Sequence, residues 1–541
     1  MGEPKSANPA RMPSDETSEM LLQVYWSKFH AKYPFLSRNE ISDLNERRHE
    51  LSAHRDEINT QEIHSSPRPV RATSRKLHLS LFKLNMIYAI SARYVQLRQS
   101  KEAENTPEEY YNAASREIDA VLSVKDLDTI DSLLLLVLYQ LRSPSYPGMW
   151  HLIRHAMTSS VETGLHRKAR IPSLVENERR KRLFWCVYSL DRAVAMALGR
   201  PHSISERDID TDLPANVDDD IDDEATLRQA INDSISFPNR STRLSAAIHQ
   251  IRLKIIESRI HETLYSVRRP DTVPADEIAI LQQQLLDWKE NIPDSPQMDS
   301  EEQTHRSRQM HLLHYYKSIR LLYLPRINSF ESSPQEFQRC IDAAGQICQL
   351  QKQIHHTQTV AWSLLGLHAT YLAGLTLIYG FYLSRSIFDF KFSSDIRACS
   401  TVLYIIAERW PAAAKYRDAF EELVANLIEA DQQQTELNSS SKEATLPAGN
   451  AASSSTAWPG EHDLAPTPAA PDFSSAFHPP PEQGGWQMQD PYFHPVAASH
   501  AFGGVAGEQA WEMFEDLIDK NFRHQVKGIH LGIPTYFAPH S

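Results

Sequence analysis

The stretch Arg179–Pro201 reads RRKRLFWCVYSLDRAVAMALGRP, four basic residues running into an apolar segment that closes on Gly-Arg-Pro. Leu183, Val187, Leu190, Val194 and Ala197 fall at alternating four- and three-residue steps, and Phe184, Tyr188 and Ala195 widen the stripe. That spacing predicts a helix with an apolar inner face along most of its length. Gly199 supplies a stop and Pro201 prevents continuation. The basic residues occupy the first turns, where the helix dipole disfavours positive charge, so they call for acidic partners in space or for solvent. Glu176 and Glu178 lie just upstream, while Asp191 and Arg192 sit in the helix body, placed for a buried or half-buried ion pair. The run reads as an ion-pairing part of a folded core rather than a grip on nucleic acid, and it is a weak nuclear import signal.

Working outward, the same three-four periodicity recurs. It runs through Leu77, Leu81, Leu84, Ile87 and Tyr88, through Ile248, Ile251, Ile255, Ile256, Ile260 and Leu264, through Ile278, Leu281, Leu285 and Trp288, and through Leu312, Leu313, Tyr316, Ile319 and Tyr323. Ser132–Leu141, SLLLLVLYQL, is apolar nearly all round and predicts a central helix. Pro- and Gly-bearing breakers separate these runs, and no strand alternation recurs with hairpin turns. The fold class is therefore all-α, an irregular multi-helix array with no fixed repeat. Composition divides the chain into a disordered N-terminus (1–18), a helical regulatory body (19–434) with a polar linker at about 40–75, a disordered Ser/Ala/Pro-rich linker (435–506) and an acidic-aromatic C-terminal segment (507–541).

A chain of 541 residues exceeds what one compact core supports, and 41% apolar with 23% charged residues is globular on average. The net charge of −13 is opposite to what reliance on the chain's own phosphate contacts would show. Cys186, Cys340, Cys348 and Cys399 form no CxxC pair, which argues against a disulfide framework and a sequence-local zinc site, leaving reduced core cysteines. The first twenty residues hold no apolar secretion signal. Val360–Leu383 carries no formal charge and is long enough to span a bilayer, but His368, Thr370 and Thr376 within it favour a helix buried in a large helical protein.

Around the opening stretch the residues also carry a resemblance. MWHLIRHAMTSSVETGLHR (Met149–Arg167), then ENERRKRLFWCVYSLDR, then ALGRPHSISERDIDTDLP (Ala197–Pro214) resemble, in order and spacing, the middle homology region of fungal-specific transcription factors. The matching positions are Gly164, Leu165, His166 and Arg167, then Glu176 or Glu178, Arg179, Arg180, Phe184 and Trp185. They continue with Leu190, Asp191, Arg192, Gly199, Arg200, Pro201, Asp208, Ile209, Asp210, Leu213 and Pro214. YWSKFHAKYPFL, near the start, also resembles the family's opening segment, and the likeness covers roughly residues 20–430. The resemblance implies a nuclear regulator of a metabolic or secondary-metabolite gene set, with a body serving regulation, homodimerisation or response to a small-molecule effector, and no membrane. Its partners would be the transcription machinery, a DNA-binding partner or DNA itself. Family members usually hold zinc in an N-terminal six-cysteine binuclear cluster that places a helix in the major groove. Four scattered cysteines do not supply that cluster, so no cofactor is expected in this chain. A shortened gene model, a cofactor protein acting through a DNA-binding partner, and another DNA-contacting surface stay open.

In the C-terminal segment, Trp511, Phe514, Leu517 and Ile518 would share one face of a helix with acidic residues on its other sides. Such an island suits a coactivator's groove, or docking back onto its own body. Two other classes compete with a regulator. Asn216–Glu224, NVDDDIDDE, holds Asp-Asp-x-x-Asp in two registers across Asp218–Asp223, the hard-oxygen set with which all-α enzymes hold magnesium and prenyl diphosphates. The second metal motif such enzymes need is missing: the stretch beginning Asn232, Asp233 and Ser236 ends in Arg240 and is broken by Pro238, so a solvated acidic loop is the expectation. His151 and His155 lie four apart without a third ligand, and no phosphate-cradling Gly loop or nucleophile motif occurs, so no catalytic residue is assigned. A helical scaffold without DNA contact is the third class.

Overall fold

The computed structural model describes residues 11–443, apart from 63–71, 99–104, 144–147, 238–239, 267–272, 294–307, 328–332, 358–361, 385–386 and 388. The C-terminal segment with Trp511, Phe514, Leu517 and Ile518, and most of the linker before it, lie outside the described residues. Among the described residues there are 17 α-helices and no strand, so the all-α expectation holds. The N-terminal part comprises α1 (Asp15–Tyr25), α2 (Arg38–Glu46), α3 (Arg48–Glu62), α4 (Ala72–Arg98), α5 (Pro107–Ser115) and α6 (Ile118–Leu122). The centre holds α7 (Leu127–Gln140), α8 (Met149–Glu162), α9 (Leu174–Ala197), α10 (Glu224–Ser236) and α11 (Ser245–Leu264). Then follow α12 (Ala275–Glu290), α13 (Arg308–Tyr323), α14 (Pro334–Thr357), α15 (Leu364–Leu383), α16 (Phe390–Arg409) and α17 (Ala414–Glu443).

Helix starts follow local chemistry. Ser14, Ser37, Thr106, Asp126, Ser173, Asp223, Ser363 and Asp389 each accept a hydrogen bond from a backbone N–H of the first turn, satisfying a donor that has no intrahelical partner. Between α1 and α2 the chain makes one π-helical turn, Trp26–His30, with Ala31 N–H donating to Trp26 O at 3.3 Å. Such wide turns re-aim side chains by inserting a residue into the helical ladder.

Three boundaries differ from the expectation. The polar stretch at 40–75 is helical over Arg38–Glu46, Arg48–Glu62 and from Ala72 on, because Ile41, Leu44 and Leu51 bury against the body and secure a local sequence of low apolar content. The N-terminal 18 residues already include the start of α1, capped by Ser14. Helix α17 runs on to Glu443, past the composition change at Gln434. The described residues up to Val424 form one compact unit, and the rest of α17 belongs to a second.

Helix α9 is the hub of the body. It packs against α7, α8, α10, α11 and α15, so every residue from Leu183 to Arg192 is buried. The apolar stripe is thus wider than one face, because helices surround α9 on all sides. Helix α7 is buried from Thr129 to Tyr139, as its all-round apolar sequence requires. Helix α15 is long and apolar enough to cross a bilayer, yet it packs among α9, α14 and α16 and most of it is buried. Its approach to α16 and α17 depends on Gly374, where a Cβ would overlap Cys399 Sγ and the Phe420 ring.

Candidate functional site

The residues that carry the family resemblance converge on α9. Helices α8 and α9 each end on a left-handed glycine, Gly164 at φ 69° and Gly199 at φ 60°. In both, the next residue's N–H reaches back across the turn, Leu165 to Ser160 O and Arg200 to Ala195 O, each at 2.9 Å. Only glycine takes that backbone without strain. After Gly199 and the exposed Pro201, the chain folds back along α9 to the buried Pro214.

Polar side chains hold this return in place. Arg192 is wholly buried, donating to Asp191 at 3.0 Å, Ile204 O at 2.7 Å and Glu206 at 3.0 Å, with its guanidinium 3.9 Å over the Tyr188 ring. Asp191 accepts from Ser203 N–H at 3.1 Å, and Trp185, edge-on to the buried Phe184, donates its indole N–H to Asp212 O at 3.0 Å. His166 O accepts the N–H groups of Asp210 and Thr211, and the Asp210 carboxylate accepts from Arg167 Nε at 3.1 Å and Lys168 N–H at 2.7 Å. Asp208 sits exposed in the turn Glu206–Asp208. Arg200 stacks over Trp150 at 4.3 Å.

The basic run ion-pairs within the core, as expected, but its main partners come from further away than Glu176. Arg179 meets Asp131 at 3.0 Å and Asp128 at 3.2 Å on α7, a pair that Lys83 of α4 shares. Burial pushes the Asp131 carboxyl up to about 6, while Lys83 and Arg179 pull the other way. Arg180 donates to Thr163 O at 2.9 Å, Lys181 to Glu178 at 2.7 Å, and Arg182 to Asp219 O at 3.4 Å. These residues clamp α9 to its neighbours, and no reacting atom is presented among them.

The acidic stretch after Pro214 is exposed at Asp220, Asp222 and Asp223, as a solvated loop would be, but it is anchored at one buried residue. Asp219 is buried, its carboxylate 2.5 Å from His30 Nε2 and 2.9 Å from Arg38 Nε. Burial alone would raise this carboxyl; the His30 hydrogen bond and the Arg38 charge hold it well below its ordinary value instead. The other aspartates turn elsewhere. Asp218 accepts Arg243 N–H at 2.8 Å, Asp220 pairs with the Arg243 guanidinium, Asp222 accepts from Asn39, and Asp223 caps α10. Each register of Asp-Asp-x-x-Asp is thereby divided among different partners. Among the described residues no group of three His, Cys, Asp or Glu side chains is gathered for a metal. His151 and His155 are exposed on α8, and the four cysteines are buried and free.

A feature that the sequence reading missed lies between these elements. A cavity of about 130 Å³ is walled by the turn Trp26–His30, the end of α7 and helices α9, α11, α13, α14 and α15. Its lining includes Lys28, Lys32, Arg142, Lys254 and Lys317 and, among the described residues, no Asp or Glu. These residues are scattered along the chain, and no local signal joins them; only the paired Lys28 and Lys32 stand close in sequence.

Comparison with known proteins places residues 22–290 against the model of the fungal specific transcription factor domain. An uncharacterized transcriptional regulatory protein of Saccharomyces cerevisiae is 27% identical over 456 residues, covering 77% of this chain and 32% of that one. The positive regulator of purine utilization of Emericella nidulans is 23% identical, with 78% and 47% covered. The pyrimidine pathway regulatory protein 1 of Saccharomyces cerevisiae is 25% identical, with 60% and 36% covered. The chain thus spans between a third and a half of the length of these relatives.

Proposed function

From a chain that carries a fungal specific transcription factor domain, we propose a regulator of transcription that acts in the nucleus. Its helical body is the regulatory part, and it is not an enzyme. The observation that carries the reading is the frame around α9: the motif side chains of 164–214 are engaged in holding helices together, which suits a body whose task is to keep or change shape. The acidic stretch supports the same reading, since His30, Arg38, Arg243 and Asn39 take up the carboxylates that magnesium would need. Two relatives are named for purine utilization and the pyrimidine pathway, and by analogy a metabolic or secondary-metabolite gene set is the target. DNA is reached through a zinc cluster, in a partner or in a longer form of this chain, or through another surface; the body needs no cofactor, and a homodimer is the working form. Trp511, Phe514, Leu517 and Ile518 make the coactivator contact, one face of an acidic helix in a hydrophobic groove.

The test is to fuse the full chain to an unrelated DNA-binding module above a reporter. Expression should change relative to the module alone, and Trp511→Ala with Phe514→Ala should reduce activation. An unchanged reporter would remove the regulator reading. Magnesium-dependent turnover of prenyl diphosphates, abolished by Asp219→Ala and Asp222→Ala, would replace it with the enzyme.

A further inference from the structure

The cavity beside α9 has the composition of a binding site whose ligand is anionic. Five Lys and Arg side chains line it, and among the described residues no carboxylate does. The nearby carboxylate of Glu257 is already engaged by Lys254 and by the Ser318 hydroxyl, the latter at 2.7 Å. Hydrogen-bonding capacity is left over as well. Arg142 Nε, Ser189 Oγ, Gln250 Nε2 and His314 Nδ1 all belong to lining residues and are buried without a hydrogen-bond partner among the described residues. All four atoms are donors, or can be. Buried donors call for an acceptor, from protein, water or ligand, and these four gather at one cavity.

The remaining walls set the size and shape of that partner. Phe29, Tyr33 and Trp362 supply aromatic faces, with Arg142 lying 4.5 Å over the Phe29 ring and His355 stacked on Trp362. The N-terminal turn of α15 contributes Ser363, Leu365 and Gly366, the helix end that favours negative charge. The volume of about 130 Å³ is close to the ~150 Å³ that accommodates benzene in an engineered cavity.

We propose that this cavity binds a small organic anion, an acid group of the carboxylate or phosphate type on a body about the size of a benzene ring. The proposal deepens the regulator reading and rests on it for the consequence, an effector signal passed to the body. The cationic pair of walls joins the turn Trp26–His30 and α7 to α11 and α13, so an anion between them draws together elements that otherwise repel. In the free protein that repulsion shows. Burial first, and then the charges of Lys254 and Arg142, push Lys32 down to about 7. Lys317 is pushed down to about 7 in the same way, by burial and by Lys254. An anion would restore both ammonium groups.

The experiment is thermal unfolding of the purified full chain at matched ionic strength, with phthalate, phenyl phosphate, the neutral phthalamide and inorganic phosphate as probes. Phthalate or phenyl phosphate should raise Tm by a few degrees, the one giving the larger shift naming the acid type, and phthalamide should not. Lys317→Met and Lys32→Met should each raise the Tm of the free protein by about 2 °C, by removing a repelling charge, and should abolish the anion shift. No shift with either organic anion, an equal shift with phthalamide, or a full shift with inorganic phosphate alone would overturn the proposal. So would Met variants that lower Tm and keep the shift. Because no promoter or reporter enters the measurement, its failure leaves the regulator reading to be judged by the fusion experiment.

Discussion

Asp219 shows how one residue can look like chemistry and act as structure. In the sequence it is the middle of an acidic cluster; in the fold it is a single buried carboxylate held between His30 and Arg38. Burial pushes the His30 imidazole down, so its Nε2–H donates to a carboxylate whose charge Arg38 balances. Removing the carboxylate leaves the Arg38 charge without its partner, and because Arg38 itself keeps some access to water, the loss falls at the low end for buried pairs. Asp219→Asn should cost about 3 kcal/mol, measured as a lower urea midpoint at unchanged slope. A loss below about 0.5 kcal/mol, the range of ordinary surface changes, would show that the site is not a structural pin. The acidic residues were legible as residues, but their partners at positions 30, 38, 39 and 243 were not, since nothing local connects them.

At the scale of the element, α15 decides a question that hydropathy leaves open. Its composition fits a bilayer, and its packing partners α9, α14 and α16 supply the apolar surroundings instead. Close packing there depends on the missing side chain at Gly374, which lets Cys399 and Phe420 approach the α15 backbone. Gly374→Ala places a methyl group where those two side chains already lie. Overpacking of this kind costs about 2 kcal/mol, more than the helix propensity gained by alanine. The expected outcome is a lower Tm for Gly374→Ala, and a Tm at or above that of the parent would mean that the interface can open to admit it. Helix ends tell the opposite story. Gly199 was readable because a helix stop and the helix that it ends lie within a few residues of each other.

For the whole molecule, the cationic cavity makes stability depend on pH in a definite direction. Burial, and then the charge of Lys254, hold Lys32 and Lys317 down at about 7 in the folded chain, against an ordinary value of 10.5. They face Lys254, Arg142, His314 and the engaged Glu257, and the His314 imidazole is itself held well below its ordinary value by burial and then by Lys32 and Lys317. Between about 7 and 10.5 the unfolded chain binds more protons than the folded one, so stability rises with pH across that window. Below it both states are protonated and the contribution levels off. Tm should therefore be higher at pH 9 than at pH 7, and Lys317→Met should flatten the rise. An equal slope in parent and variant would remove Lys317 as its source.

What the sequence alone determined about this protein is the apolar stripes of its helices, the stop at Gly199, the all-α class and the ordered motif from Gly164 to Pro214. These follow from three-four spacing and capping chemistry, both of which act within one or two turns of chain. Tertiary structure alone decided which charges meet. The partners of Arg179 lie 48 and 51 residues away, and the cavity's cations run from Lys28 to Lys317. Burying apolar stripes against one another sets how helices cross, and that crossing, which no local pattern encodes, brings distant charges together or leaves them facing an empty space.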